Sequence, residues 1–454
     1  MTSQLAGRLR KYTPLIPDAD YTEIVISSKD GDQMYYFDAV GRHQRTTHSK
    51  TGSTLYTFGY NNHGHLTQVG DGDGNITRIQ RNASGKPTAI VSPDGVTTAL
   101  ALDANGMLAS ISDPIGGAHR MKYLPNGLLT EFKDPNGNES TASYDARGFL
   151  TMERDAAGGS IALERTRGAA SYQVKLTSAM GRVTLDNVQL RTDGSEQLTD
   201  TFPDGTSTTV VTGTSGTQSS TQADGTTVTV SNVADPRFGM QMPYPMKTVV
   251  RLPSGLISTT EVVRTIDVSS ADPVPVLVRE RETRTVNGRD YASEYEAQSK
   301  RWIFTSPEGR NWTIDLDSRG RTMRININGF VATEFTRDGR GRLITLSQGA
   351  GLERRRTEFS YSVNGEIASR TDSLGRVTTY VRDQAGRLSQ LTLPTNRTTV
   401  FDYDPNGNTT SVTPPGRAEH QFTYTPVNLE VIYQTPAFLP PHPIPGSNIT
   451  WIKT

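Results

Sequence analysis

Glycines fall at Gly64, Gly74, Gly85, Gly95, Gly106, Gly116, Gly127, Gly137, Gly148 and Gly158, in steps that alternate between ten and eleven residues. The unit is therefore 21 residues, because Gly64, Gly85, Gly106, Gly127 and Gly148 are evenly spaced. A fixed period of this length is the mark of a repeat architecture. Each half-unit has room for one strand of about five or six residues and one turn. No window keeps a 3.6-residue apolar stripe, and Gly or Pro interrupts every few positions, so helix is not expected. Two stretches show the turn chemistry. In Asp134-Pro135-Asn136-Gly137-Asn138, Pro presets the second position of a type I turn, Asn tolerates the third, and Gly supplies the left-handed residue. Tyr144-Asp145-Ala146-Arg147-Gly148 is the other half-period of the same unit. The reading is all-β: a repeat array of antiparallel β-hairpins in a spiral sheet that forms part of a hollow barrel or shell.

Taken in order, the chain divides into five expected segments. Residues 1–34 are a lead with edge strands, and the first strand signals flank Asp30-Gly31-Asp32. Residues 35–160 form the first regular array. In residues 161–300 the beat weakens, although Phe202-Pro203-Asp204-Gly205-Thr206 and Gln222-Ala223-Asp224-Gly225-Thr226 still read as hairpin tips. The Ser/Thr/Gly-rich residues 206–231 have the composition of a flexible linker, but their alternation favours degenerate strands, and residues 235–246, rich in Pro and Met, read as an irregular loop packed on the sheet. The array returns over residues 301–433, with Arg397 standing where the next glycine is expected. In residues 434–454, Pro436, Pro440, Pro441, Pro443 and Pro445 cannot supply ladder donors, and the segment reads as an extended or disordered tail.

A five-residue signature, Asp-x-x-Gly-Arg, recurs at 38–42, 317–321, 338–342, 372–376 and 383–387. Its Asp caps the turn through backbone N–H groups, its Gly takes positive φ, and its Arg begins the return strand where it can pair with the Asp. Stacked hairpins would align these charges in rows along a rim and fix register.

With Tyr144-Asp145-Ala146-Arg147-Gly148-Phe149-Leu150, Asp338-Gly339-Arg340-Gly341-Arg342-Leu343, Asp383-Gln384-Ala385-Gly386-Arg387-Leu388 and Tyr403-Asp404-Pro405-Asn406-Gly407-Asn408, the chain resembles the YD-repeat, or rearrangement-hotspot, family. That family includes shells of bacterial polymorphic toxins and toxin complexes, and, more distantly, the teneurins. The match covers about residues 35–158 and 305–424. The resemblance implies hairpins wound into a hollow shell, which holds a C-terminal effector in bacterial relatives and serves adhesion in teneurins. Bacterial shells usually close with an Asp-Pro-x-Gly-Leu-type core followed by an effector; that motif is absent here. The expectation is a piece of a shell without its cargo.

Composition narrows the function further. Lys plus Arg and Asp plus Glu are 47 each, and the richest basic run, Glu353-Arg354-Arg355-Arg356, is led by an acid. That balance argues against nucleic acid as a partner. The absence of cysteine removes disulfides, thiolate metal sites and Cys nucleophiles. No stretch approaches 18 apolar residues, so no membrane insertion is expected. Hydrophobic residues are only 34%, poor for a compact core but suited to a sheet whose strands each bury one face.

The tests for chemistry return geometry. Asp71, Asp73 and Asn75 occupy the first oxygen positions of a calcium loop, but Asn82 stands where the bidentate Glu belongs. His63 and His65 lack a third ligand. Every turn carries an Asp, so paired carboxylates are not distinguished from turn caps. No catalytic, cofactor-binding or metal residue is assigned, and no cofactor. The strand aromatics Tyr35, Tyr36, Tyr60, Tyr123, Tyr144, Phe359, Tyr361, Tyr380, Tyr403 and Tyr424 read as cross-strand ladders, with a sugar-stacking groove as the alternative. The expected function is a non-catalytic shell or scaffold segment for toxin encapsulation and delivery or cell-surface contact. The alternative is a carbohydrate- or cell-surface-binding module, and a polysaccharide-active enzyme comes last. Expected partners are an enclosed toxin, effector or chaperone, or surface glycans and proteins. The expected location is secreted or on the cell surface as part of a larger protein, and cytoplasmic if the chain is made alone. An incomplete shell leaves open strand edges, which invite association.

Overall fold

The computed structural model describes residues 23–269, 276–349, 351 and 354–435. Most of the lead and the Pro-rich tail expected from sequence lie outside them. The described chain has 37 strands, from β1 (Glu23–Ser27) to β37 (Glu430–Gln434), and no α-helix. All belong to one sheet. Consecutive strands pair antiparallel throughout, as Ile24↔Phe37 at the start and Phe422↔Tyr433 at the end illustrate. The sheet does not close: β1 and β37 each have one partner among the described residues.

The turn chemistry is as the sequence requires. At 134–138 the Asp134 carbonyl accepts the Gly137 N–H at 2.9 Å, the Asp134 N–H donates to Asn138 O at 3.0 Å, and Gly137 sits at φ 87°. This is a type I turn completed by a left-handed residue, the three-residue hairpin that matches the strand twist. In the turn beyond Gly386 the left-handed position falls on Asn396 at φ 59° and not on Arg397, because the half-step there is ten residues and Asn tolerates αL.

Register sorts side chains by face. Phe58↔Val69, Ile79↔Ile90, Leu100↔Ile111, Met121↔Phe132, Phe304↔Trp312, Phe335↔Leu346, Tyr380↔Leu391 and Phe401↔Val412 share one face. Gln68↔Arg78, Glu131↔Thr141, Thr199↔Thr209 and Arg301↔Asp315 share the other. One face is thus largely apolar and one polar along the ribbon, which is what period-2 alternation dictates.

The weak-beat region is strand throughout, and its strands are longer: β20 (Thr227–Asp235), β21 (Gly239–Arg251), β22 (Ile257–Val268), β23 (Leu277–Val286) and β24 (Arg289–Glu296). The loop expected at 235–246 is therefore mostly strand. Its prolines are tolerated because β21 pairs with β22 only over Lys247–Arg251, leaving Pro243 and Pro245 on a side that needs no donor.

These long strands receive the start of the chain. Arg237 donates to the Ser49 carbonyl, and Lys50 pairs with Glu280 at 2.5 Å while its ammonium lies 5.3 Å from the Trp302 ring. Gly31 packs on Met242 so closely that a Cβ there would overlap its sulfur. Arg264 bridges Asp235 and Glu282 at 2.8 Å each. Among the described residues five of the seven buried apolar side chains are here: Met34, Met242, Val262, Leu277 and Tyr295. This is the core of the molecule; elsewhere the sheet is a single layer.

Candidate functional site: the repeat clasp and the seam between revolutions

The recurring side chains form two devices. The first is a clasp between successive units. In all five Asp-x-x-Gly-Arg turns the Asp pairs with the Arg four residues on, at 2.7–2.9 Å. Asp383 shows the full pattern: one oxygen accepts the Ala385 and Arg387 N–H groups, and the other accepts Arg387 Nε at 2.7 Å. The tyrosine that ends the next strand pair then closes over that arginine. Tyr403 donates its hydroxyl to Leu388 O at 2.8 Å, with the Arg387 guanidinium 4.8 Å from its ring centre. Tyr361 does the same with Leu343 and Arg342, and Tyr60 with His43 and Arg42. Tyr123, Tyr144 and Tyr424 bond the Leu108, Leu129 and Thr409 carbonyls. Arg81 fills the same place, donating to Leu66 O at 3.1 Å. These six strand tyrosines are thus carbonyl clasps more than ring-on-ring ladders, and they couple each unit to its neighbour as in other repeat proteins. Replacing Tyr403 with Phe removes one hydrogen bond from a part-buried carbonyl. It should cost about 1 kcal/mol in urea unfolding; an unchanged midpoint would reduce the clasp to packing.

The second device is a seam. Turns from an odd- to an even-numbered strand lie along one edge of the ribbon, and even-to-odd turns along the other. The first edge, early in the chain, docks on the second edge later. Ser53 Oγ donates to Arg319 O at 3.0 Å, and Asn75 Nδ2 donates to Arg340 O at 3.0 Å. Asp73 pairs with Arg321 at 2.6 Å, and Asp94 with Arg340. Asn136 donates to Asn406 Oδ1 and Asp404 Oδ2 at 2.9 and 2.8 Å. Asp94 also occupies the space a side chain on Gly365 would take. From Gly52 to Gly320 the chain crosses the strands β4 (Thr54–Tyr60) to β26 (Asn311–Leu316) inclusive, 23 in all. The same count separates Gly74 from Gly341, Gly95 from Gly365 and Gly137 from Gly407. The ribbon therefore returns onto its own edge after a constant number of strands.

The residues tested for metal binding serve these devices. Asp71 accepts the Asp73 and Asn75 N–H groups at 2.9 Å and the Asn75 amide at 2.7 Å. Asp73 faces Arg321 across the seam. Among the described residues no group of three or more His, Asp or Glu side chains converges as a metal site. His63 and His65 donate their backbone N–H groups to Asn61 Oδ1, with rings 6.2 Å apart.

The family model for the teneurin YD-shell matches residues 21–453. The chain belongs to the teneurin YD-shell family. Teneurin-3 of Mus musculus is 38% identical over 71 residues, 16% of this chain and 2% of its own length. Teneurin-4 of Homo sapiens is 32% identical over 76 residues, 17% of this chain and 3% of its own. The YD-shell chain thus spans a small fraction of these relatives. The crystal structure of TcdB2-TccC3-Cdc42 aligns with a TM-score of 0.51 and 12% identity over 88% of this chain and 23% of that one. TcdB2-TccC3 without its hypervariable C-terminal region gives 0.51 and 13% over the same shares. The likeness is one of fold. The Asp and Arg of this YD-shell's signature were legible as in-turn pairs. Their partners across the seam, some 250–270 residues away, carried no local signal.

Proposed function

We propose that this YD-shell is a non-catalytic wall segment that encloses a second polypeptide, a toxin or effector domain, within a secreted or cell-surface assembly. The observation that carries the reading is the single-layer winding. Edge returns onto edge after 23 strands, and among the described residues no helix or second sheet fills the space inside. The shared fold with TcdB2-TccC3 supports it. The carbohydrate- or surface-binding alternative has less behind it, because the hydroxyls of Tyr60, Tyr123, Tyr144, Tyr361, Tyr403 and Tyr424 are spent on backbone carbonyls. The test is to purify the assembly from its native source, treat it with proteinase K and identify the surviving peptides by mass spectrometry. Protected peptides foreign to the wall are expected. An assembly that protects nothing but itself overturns the reading.

A further inference from the structure

The seam uses one complementary pair of turns repeatedly. On the receiving edge, the acid is the third residue of the turn: Asp73 in Asp71-Gly72-Asp73-Gly74 and Asp94 in Ser92-Pro93-Asp94-Gly95. On the inserting edge, an arginine precedes the glycine: Arg319 in Asp317-Ser318-Arg319-Gly320 and Arg340 in Asp338-Gly339-Arg340-Gly341. The inserted tip lies in the gap between two receiving turns. Gly320 sits against Thr51 and Ser53 while Arg319 and Arg321 reach Asp73. Gly341 sits against Asp73 while Arg340 reaches Asp94 and the Pro93 carbonyl.

An acid also stands third in the exposed turns Phe202-Pro203-Asp204-Gly205 and Gln222-Ala223-Asp224-Gly225 of the receiving edge, but the Ser-Pro-acid-Gly form of the receiving turn and the arginine form of the inserting turn each recur once where no other part of the described chain covers them. Ser306-Pro307-Glu308-Gly309 repeats the Ser92–Gly95 receiving turn, on the same odd-to-even edge. Beside it a cleft of about 750 Å³ opens between Ser306, Glu308, Arg310, Trp312, Ile327 and Phe330. It lies between two successive receiving turns, where the seam elsewhere holds an inserted tip. Glu308 is 60% exposed, with only Ser306 Oγ at 3.3 Å and the exposed Arg289 at 3.7 Å. Phe330, at the far wall, is 72% exposed. On the opposite, even-to-odd edge, Asp145-Ala146-Arg147-Gly148 repeats the inserting turn. Arg147 is 68% exposed, with Asp145 at 3.5 Å and the Phe149 ring at 5.4 Å.

We propose that the Glu308 cleft is a docking site for the Arg147 turn of a second copy of this chain. The contact reproduces the internal seam between molecules: the guanidinium meets the Glu308 carboxylate, and the turn seats against Trp312 and Phe330. Because socket and knob lie on different edges, the contact is heterologous, so copies add head to tail into a ring or an open chain. The inference rests on the fold and the seam, and is independent of whether the shell holds cargo.

Two single variants test it, Glu308→Arg and Arg147→Glu, both at exposed turn positions, with circular dichroism to confirm the sheet. Wild-type chain should gain weight-average mass with concentration in sedimentation or light scattering. Each variant alone presents like charges at every contact and should remain monomeric over the same range. In an equimolar mixture the socket of each variant meets a knob of opposite charge on the other, so assembly should recover. A wild-type chain that stays monomeric, variants that associate as the wild type does, or a mixture that fails to assemble would each overturn the proposal.

Discussion

Tyr295→Ala should destabilise the chain by about 3–5 kcal/mol, the range for removing a large aromatic side chain from a packed core. Tyr295 is wholly buried. Its ring stands 5.1 Å from Trp302, and the stack runs on through Phe304 to Trp312 at 5.7 and 5.0 Å. This is where the start of the chain rests on the long strands, so the cavity would loosen both. Tyr295→Phe should behave in the opposite way. The hydroxyl has no hydrogen-bond partner, and burial pushes its pKa up to about 12. Removing an unsatisfied polar group from a dry site is neutral or stabilising. Thermal and urea unfolding of the two variants separate the effects. A Phe variant as weak as the Ala variant would show that the hydroxyl, and not the ring, is what the core uses. Glu280→Ala belongs to the same region: it strands the part-buried Lys50 ammonium, and loss of one member of a buried pair costs about 3–5 kcal/mol, less here because some solvent reaches it.

Acid should unwind the repeat. The Asp38 and Asp145 carboxyls are held below their ordinary range, first by the N–H groups of Arg42 and Phe149 in their own turns. For Asp317, Asp338, Asp372 and Asp383 burial works the other way, but the turn N–H groups and the paired arginine outweigh it. A carboxylate with a lowered folded pKa binds fewer protons folded than unfolded. Its contribution is present above the unfolded value of about 4 and is lost as pH falls through the folded one. With so many turns capped alike, urea midpoints should drop steeply below about pH 4. A flat profile from pH 7 to 2 would contradict this. Asp186 and Asp200 serve as an internal control of opposite sign. They face each other across two strands, and burial raises both, helped for Asp186 by the charge of Asp200. Asp200→Asn should therefore add stability of about 0.2–1 kcal/mol at neutral pH, the scale of a cross-strand like-charge pair, and the gain should fade as both carboxyls protonate.

The local half of this structure was legible because it is written in nearest-neighbour terms. Gly137, Asp383 and Arg387 each announce what they do within five residues. The prolines at 243 and 245 misled because a missing donor matters only where a partner strand needs it, and partner length is not a local property. Tyr403 was visible as a strand aromatic, but its bond to Leu388 depends on where the second strand back places a carbonyl. The seam was illegible for a stronger reason. Asp94 and Arg340 look like any turn acid and any turn base until the curvature of the ribbon brings them together.

The strand count between seam contacts also sets a bore. Strands lie about 4.8 Å apart, so 23 of them make a girth of roughly 110 Å, or a backbone diameter near 35 Å if the section is round. Side chains lining the wall reduce the clear width to about 25 Å. A helix, about 10–12 Å across, passes with room for another beside it. A compact domain of 100 residues, with a radius of gyration of about 13 Å, spans more than the opening. At this gauge the bore has the width of an extended chain or a helical hairpin and is narrower than a finished globule of that size.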